Sequence, residues 1–240
     1  MSIELISLSP ILKCFIIDRI NRFTVRVKCF GSEYLALNTN TGRLHNLLTP
    51  GRVAYCIRKC SGKLPLRLLG IEMSGEVAVT DIYIQMKSFE KALVLNSIPW
   101  LLNCVIKRRN PVVGSSRLDY LLKCLEGEVW VEVKSALLLH GENYAGYPDC
   151  LSLRGRRHIR ELIELASNGR KALLVFIVAL PSASGFKPYT KGDPDMPSLL
   201  RTALEHGVSI KAIGLSGVVK GNTLTTVLWD SELPVILSNA

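Results

Sequence analysis

The chain has 240 residues and a formal net charge of +10, from 30 Lys and Arg against 20 Asp and Glu. Although 48% of it is hydrophobic, no apolar run approaches the roughly 20 residues of a spanning helix, so a helical membrane protein is excluded. The first ten residues carry Glu4 and lack the basic start of a secretory signal, and a cytoplasmic protein is expected.

From Cys14 to about Val79 the chain reads as short strands at Phe23–Phe30, Tyr34–Leu37, Arg52–Arg58, Leu66–Met73 and Glu76–Val79. Glycines 31, 42, 51, 62 and 75 break them, and helical periodicity is slight. This predicts a small β-barrel of the oligonucleotide-binding (OB) type over residues 1–80. Met86–Leu102 then places Phe89, Leu93, Ile98, Leu101 and Leu102 at helical spacing. Strand candidates follow at Cys104–Lys107, Arg117–Leu122 and Glu128–Leu139, then a helix at Arg154–Asn168 closed by Gly169. Lys171–Leu180 has the near-continuous apolar character of a strand buried on both faces. Asp193–Gly207 reads as loop and helix, and Ser209–Leu215 and Leu224–Trp229 as strands. The fold class is therefore α+β: an OB-like barrel, then over residues 81–240 a mixed sheet with flanking helices. Its α-β-β-β-α-β order is that of the PD-(D/E)xK nuclease core.

The chemistry concentrates in Asp119 and, after twelve intervening residues, Glu132-Val133-Lys134. Alternate side chains of a strand share a face, so Glu132 and Lys134 point together while Val131 and Val133 pack on the other side. Burying unpaired charge costs several kcal/mol, so each needs a partner, a metal or solvent. A hairpin through Glu126-Gly127-Glu128 brings Asp119 beside the pair. Two carboxylates with the main-chain carbonyl of Val133 form a hard-oxygen site for Mg²⁺ or Mn²⁺. Catalytic roles follow for Asp119, Glu132 and Lys134, the lysine orienting water or stabilising developing charge. The competing reading is a surface hairpin with a cross-strand Glu–Lys pair.

Other candidates surround this set. Glu90 is either a ligand through water or part of a solvated helix face, and the latter reading is preferred. Arg154, Arg156, Arg157 and His158 open the next helix, where they either clamp phosphate or form a solvated basic turn. Divided at residue 90, both parts of the chain carry +5, which suits a nucleic-acid partner. Of seven cysteines, only Cys56 and Cys60 lie close together, without a second ligand pair for zinc. Mostly reduced, buried thiols are expected, disulfides being reserved for a hyperthermophilic source.

Several segments together are similar to the sugar fermentation stimulation protein A family, over essentially the whole chain. They are Asn40-Thr41-Gly42-Arg43-Leu44 with Leu47-Leu48-Thr49-Pro50-Gly51, Ser116 to Leu122, Val131 to Ser135, Tyr147-Pro148-Asp149, and Arg154 to His158. The resemblance implies an N-terminal OB barrel, a C-terminal PD-(D/E)xK domain and DNA binding with little sequence preference, and RNA is a further candidate partner. It adds Arg43 to the nucleic-acid-binding candidates. It also implies a regulatory role in sugar metabolism, and so a second functional reading, a non-catalytic DNA-binding regulator. Where many members have Asp-Thr, this chain has Asp81-Ile82 and lacks a hydroxyl.

Overall fold

The computed structural model describes residues 2–237. In chain order the strands and helices are β1 (Ile3–Leu8), β2 (Ile11–Asn21), β3 (Thr24–Cys29), β4 (Ser32–Leu37), β5 (Val53–Arg58), β6 (Leu66–Met73), β7 (Glu76–Val79) and α1 (Ile82–Val94). They continue with β8 (Val105–Arg109), β9 (Val112–Val113), β10 (Ser116–Arg117), β11 (Tyr120–Cys124), β12 (Gly127–Ala136), β13 (Leu138–His140), β14 (Tyr144–Gly146) and α2 (Leu153–Ser167). The last are β15 (Lys171–Val178), β16 (Gly185–Phe186), α3 (Met196–Glu205), β17 (Ser209–Lys220) and β18 (Thr223–Leu233).

Strands β4-β3-β2-β5-β6 form a five-stranded barrel, closed where β4 runs parallel to β6. Alternation fills it: Val25, Val27 and Cys29 point inward from β3 to meet Ile16, Ala54 and Leu68, all buried. The barrel is not a separate bead. Strand β7 folds back on β6 and also pairs with β17, so one 13-stranded sheet runs through both halves. The sequence pattern predicts no strand at Ile3–Leu8, yet this segment is one, and it pairs not with the barrel but with β18, more than 200 residues away.

In the second half β15 lies parallel to β12 and β17, and β11 and β8 complete that edge antiparallel. Helix α1 packs by β1, β7 and β18, and α2 by β12 and β15, with α3 beside it. The apolar run of β15 is buried from Ala172 to Val178, as the sequence predicts. Helix α1 starts four residues earlier than its apolar periodicity suggests because Asp81 caps it, accepting from the Ile84 amide at 3.0 Å. It ends at Val94, and Pro99, which cannot extend an α-helix, opens a short 3₁₀ turn. No helix among the described residues is long and apolar enough to cross a membrane.

The cysteines overturn the expectation of mostly reduced thiols. Cys14–Cys29 and Cys104–Cys124 are disulfides, so four of the seven are paired. Separations of 15 and 20 residues carry no such message by themselves. Strand register does: Cys14 and Cys29 lie one step beyond the Phe15–Lys28 pair, and Cys104 and Cys124 one step beyond Val105–Lys123. Cys56 is buried and free and Cys60 exposed and free.

Candidate active site

Strand β12 places Glu132 and Lys134 on the face covered by α2, while Val131 packs on the other face in register with Tyr120 of β11. The β11–β12 hairpin turns through Leu125-Glu126 and brings Asp119 alongside. Asp119 precedes β11 rather than lying within it. Its amide donates to the Val131 carbonyl at 3.1 Å, and its Oδ2 accepts the Val133 amide at 2.8 Å. The carboxylate thus takes the place of the next ladder carbonyl, and the strand begins only after it. Within a strand the N–H and C=O of one residue face the same edge, so the Val133 carbonyl is turned toward Asp119 as well.

Glu132 is 2% exposed. Its Oε1 accepts from both Lys134 Nζ and His158 Nδ1, and its buried Oε2 has no partner. His158, also buried, accepts from Arg154 Nε at 3.3 Å through its other nitrogen. Burial works to raise the Glu132 carboxyl, but Lys134 and His158 outweigh it and hold the group below the usual carboxylate value. Burial likewise works against charge on Lys134, and Glu132, Tyr147 and Asp119 reverse the balance. Asp119 goes the other way, pushed up to about 7 by burial and then by the neighbouring Glu132 charge, against the pull of the Val133 amide, Lys134 and Arg154. Two adjacent carboxylates with divergent proton affinities and one orphaned oxygen form a site that a divalent cation would complete. Among the described residues no three His, Cys, Asp or Glu side chains converge as a metal cage. A cation here would take two carboxylates, the Val133 carbonyl and water, the style of Mg²⁺ rather than of a closed zinc site.

The remaining candidates separate. Arg156 binds Asp193 through Nε at 2.9 Å and through Nη2, and reaches Asp195 with Nη1, so its guanidinium is already committed. Arg157 is exposed and touches Ser116 Oγ at 3.2 Å. Arg43 is exposed on the barrel loop beside Asp149 and Cys150. Glu90 is bound by Arg109 at 2.8 and 2.9 Å, in a pair open to solvent, and by the Tyr120 hydroxyl at 3.0 Å. Asp81 is buried at the head of α1 with Arg67 Nε 2.9 Å away, in an ion-pair contact too bent for a hydrogen bond. The Ile82 amide donates to Thr39 Oγ1 at 3.0 Å, so a hydroxyl does stand at this position, supplied from the barrel side.

A cleft of about 600 Å³ opens where the two halves meet, and Arg154 and Tyr147 connect it to the carboxylates. Asn40, Thr41 and Arg22 line it from the barrel, and Ser135 and Ser152 from the second half. Asp149 Oδ2 accepts the Leu44 amide at 2.8 Å and Asn40 Nδ2 reaches Ser135 Oγ at 3.5 Å, bonds that fix the two walls. Gly155 leaves room for Tyr147: a Cβ there would lie 2.3 Å from its hydroxyl. Of these cleft residues, sequence reasoning gives a role to Arg154 alone. The signal for Asn40, Thr41, Tyr147 and Asp149 is two motifs a hundred residues apart, Asn40-Thr41-Gly42 and Tyr147-Pro148-Asp149, which only the fold brings together.

Comparison with known proteins agrees with this architecture. The sugar fermentation stimulation protein RE domain matches residues 83–218, and the SfsA N-terminal OB domain matches residues 17–80. A sugar fermentation stimulation protein homolog of Pyrococcus furiosus is 49% identical over 97% of this chain and 99% of its own. One from Archaeoglobus fulgidus is 42% identical over 82% and 86%. The structure of Pyrococcus furiosus SfsA in complex with Ca²⁺ superposes with a TM-score of 0.92 at 46% identity, covering 98% of this chain and 99% of that one.

Proposed function

The chain belongs to the sugar fermentation stimulation protein family, with its OB barrel and restriction-endonuclease-like domain, and from that premise we propose that it is a divalent-metal-dependent nuclease acting on DNA or RNA. The observation that carries the proposal is the buried pair Asp119–Glu132 beside Lys134, with Glu132 Oε2 lacking any partner. The Pyrococcus furiosus relative is a complex with Ca²⁺, which supports a divalent-cation reading of the same fold.

In this reading Asp119, Glu132 and the Val133 carbonyl hold Mg²⁺ or Mn²⁺, which when bound polarises the phosphodiester and lowers the pKa of water. His158 and Lys134 fix one oxygen of Glu132, so the other stays aimed at the cation. Asp119 must give up its proton for the site to load. Lys134, its charge kept by Glu132, orients the attacking water or stabilises charge on the scissile phosphate. Arg154, Arg157 and Arg43 neutralise flanking phosphates, and Arg156 leaves that set because Asp193 and Asp195 already hold it. Incubating the protein with circular and linear DNA and with RNA, with and without Mn²⁺, tests the reading. Cleavage that needs the metal and is lost in Glu132→Gln supports it. Tight binding without cleavage of any substrate replaces it with the DNA-binding regulator.

A further inference from the structure

A turn of the barrel borders the cleft. Arg22 lines the cleft, and its guanidinium carbon lies 4.6 Å from the centre of the Phe23 ring, which is 44% exposed. Four hydrogen bonds hold this turn. The Phe23 amide donates to Asn21 Oδ1 at 2.8 Å, and the Asn38 amide donates to the Phe23 carbonyl at 2.8 Å. Asn38 Nδ2 and Arg19 Nη2 both donate to the Arg22 carbonyl at 3.1 Å. An aromatic ring on a fixed turn, with a cation over one face, is a ready stacking platform.

We propose that the nucleic acid taken by this site is single-stranded, led over the Arg22–Phe23 turn and down the cleft to Arg154 and the carboxylates. This rests on the nucleic-acid reading above and narrows it. Bases in a duplex spend their faces on one another, whereas an unpaired strand has faces free to stack on protein rings. A cleft of about 600 Å³ is on the scale of a small-molecule pocket, room for a nucleotide or two and not for a double helix. The reacting groups lie deep: the side chains of Glu132 and Lys134 are 3% and 11% exposed. The Leu44–Asp149 and Asn40–Ser135 bonds tie the walls together on either side. Arg22 and Arg154 both line the cleft, where they can meet phosphates, and the Thr41 hydroxyl lines it with them. Of the one carboxylate that lines it, Asp149, Oδ2 accepts the Leu44 amide.

The test is fluorescence anisotropy of the full chain, in EDTA at one salt concentration, with labelled oligothymidylate, oligouridylate and a hairpin duplex, each of about twelve nucleotides, within the usual site size. The single strands are expected to bind at least about ten times more tightly than the duplex. Phe23→Ala should lose about tenfold on the single strands and little on the duplex, with Phe23→Trp close to wild type. Duplex binding as tight as single-strand binding, or a Phe23→Ala effect that is absent or equal on both, overturns the proposal and leaves the nuclease reading standing. No binding of any probe removes both. Because metal is absent, loss of cleavage alone has no bearing on the result.

Discussion

Helix α2 carries two buried carboxylate sites near its first turn, and they are built to opposite ends. At one, Asp193 is fully buried and fully engaged: Arg156 takes both oxygens and the Ser152 amide adds a bond at 3.2 Å. Burial opposes its charge, but those donors prevail and hold the carboxyl below the ordinary value. At the other, two residues along the helix, His158 braces Glu132, which keeps an orphan oxygen beside an Asp119 pushed up to about 7. The first site uses charge to hold the helix to its neighbours. The second stores an unmet demand for positive charge, which is what a structure does where something is to be bound.

The contrast breaks most sharply at Glu132. Glu132→Gln should lose a few kcal/mol of stability, because Lys134 is left a buried charge without its partner, yet bind nucleic acid at least as well as wild type without metal. It should cleave a hundredfold or more slowly, the scale of several kcal/mol of lost transition-state stabilisation. Nicking that persists unchanged in this variant would point to a contaminant. Asp119→Asn should remove Mn²⁺ binding by calorimetry and, in EDTA at pH 8, stabilise the protein by about 2 kcal/mol or more, because the buried charge is gone. Equal Mn²⁺ binding by wild type and variant would dismiss the site assignment. Asp193→Asn should do the reverse, lowering the melting temperature by several degrees while Mn²⁺ binding stays intact.

The pH dependences sharpen the comparison. A carboxyl whose pKa rises on folding stabilises the protein while protonated, so the Asp119 contribution is full below about pH 4 and lost as pH climbs through about 7. Asp193 has the opposite sign: its contribution is present above the ordinary carboxylate value and lost only as pH falls through its lowered folded value. Mn²⁺ affinity should accordingly increase from pH 6 to pH 8 with release of a proton, and a flat profile would argue against Asp119 as a ligand. The smallest effect is at the surface. Arg157→Ala should weaken nucleic-acid binding a few-fold and reduce the slope of log affinity against log salt by about one.

Strand β15, α2 and the β11–β12 hairpin were legible because each depends on local periodicity or turn chemistry; alternation decides that Glu132 and Lys134 share a face, and the hairpin brings Asp119 beside them. The bracing of Glu132 by His158 was not legible, since it joins residues on different elements. Nor was the commitment of Arg156, because Asp193 and Asp195 lie 37 and 39 positions away and nothing local links them. Both disulfides escaped for the same reason, register being invisible in cysteine spacing. The pairing of Ile3–Leu8 with β18 lay further still from any window of sequence.

That last pairing constrains the order in which the molecule can be made. Residues 3 to 8 leave the ribosome some 220 residues before their partners 224 to 228. At about 5–20 residues per second the wait is roughly ten to fifty seconds. The nascent chain must keep an apolar ribbon from finding other edges throughout that time. Release of the last strand, not completion of the barrel, is then the moment at which the shared sheet closes. A fragment begun at residue 81 would lack both β1 and β7, so the halves of this protein are not modules to be exchanged but one woven object, with its seam at the two ends of the described chain.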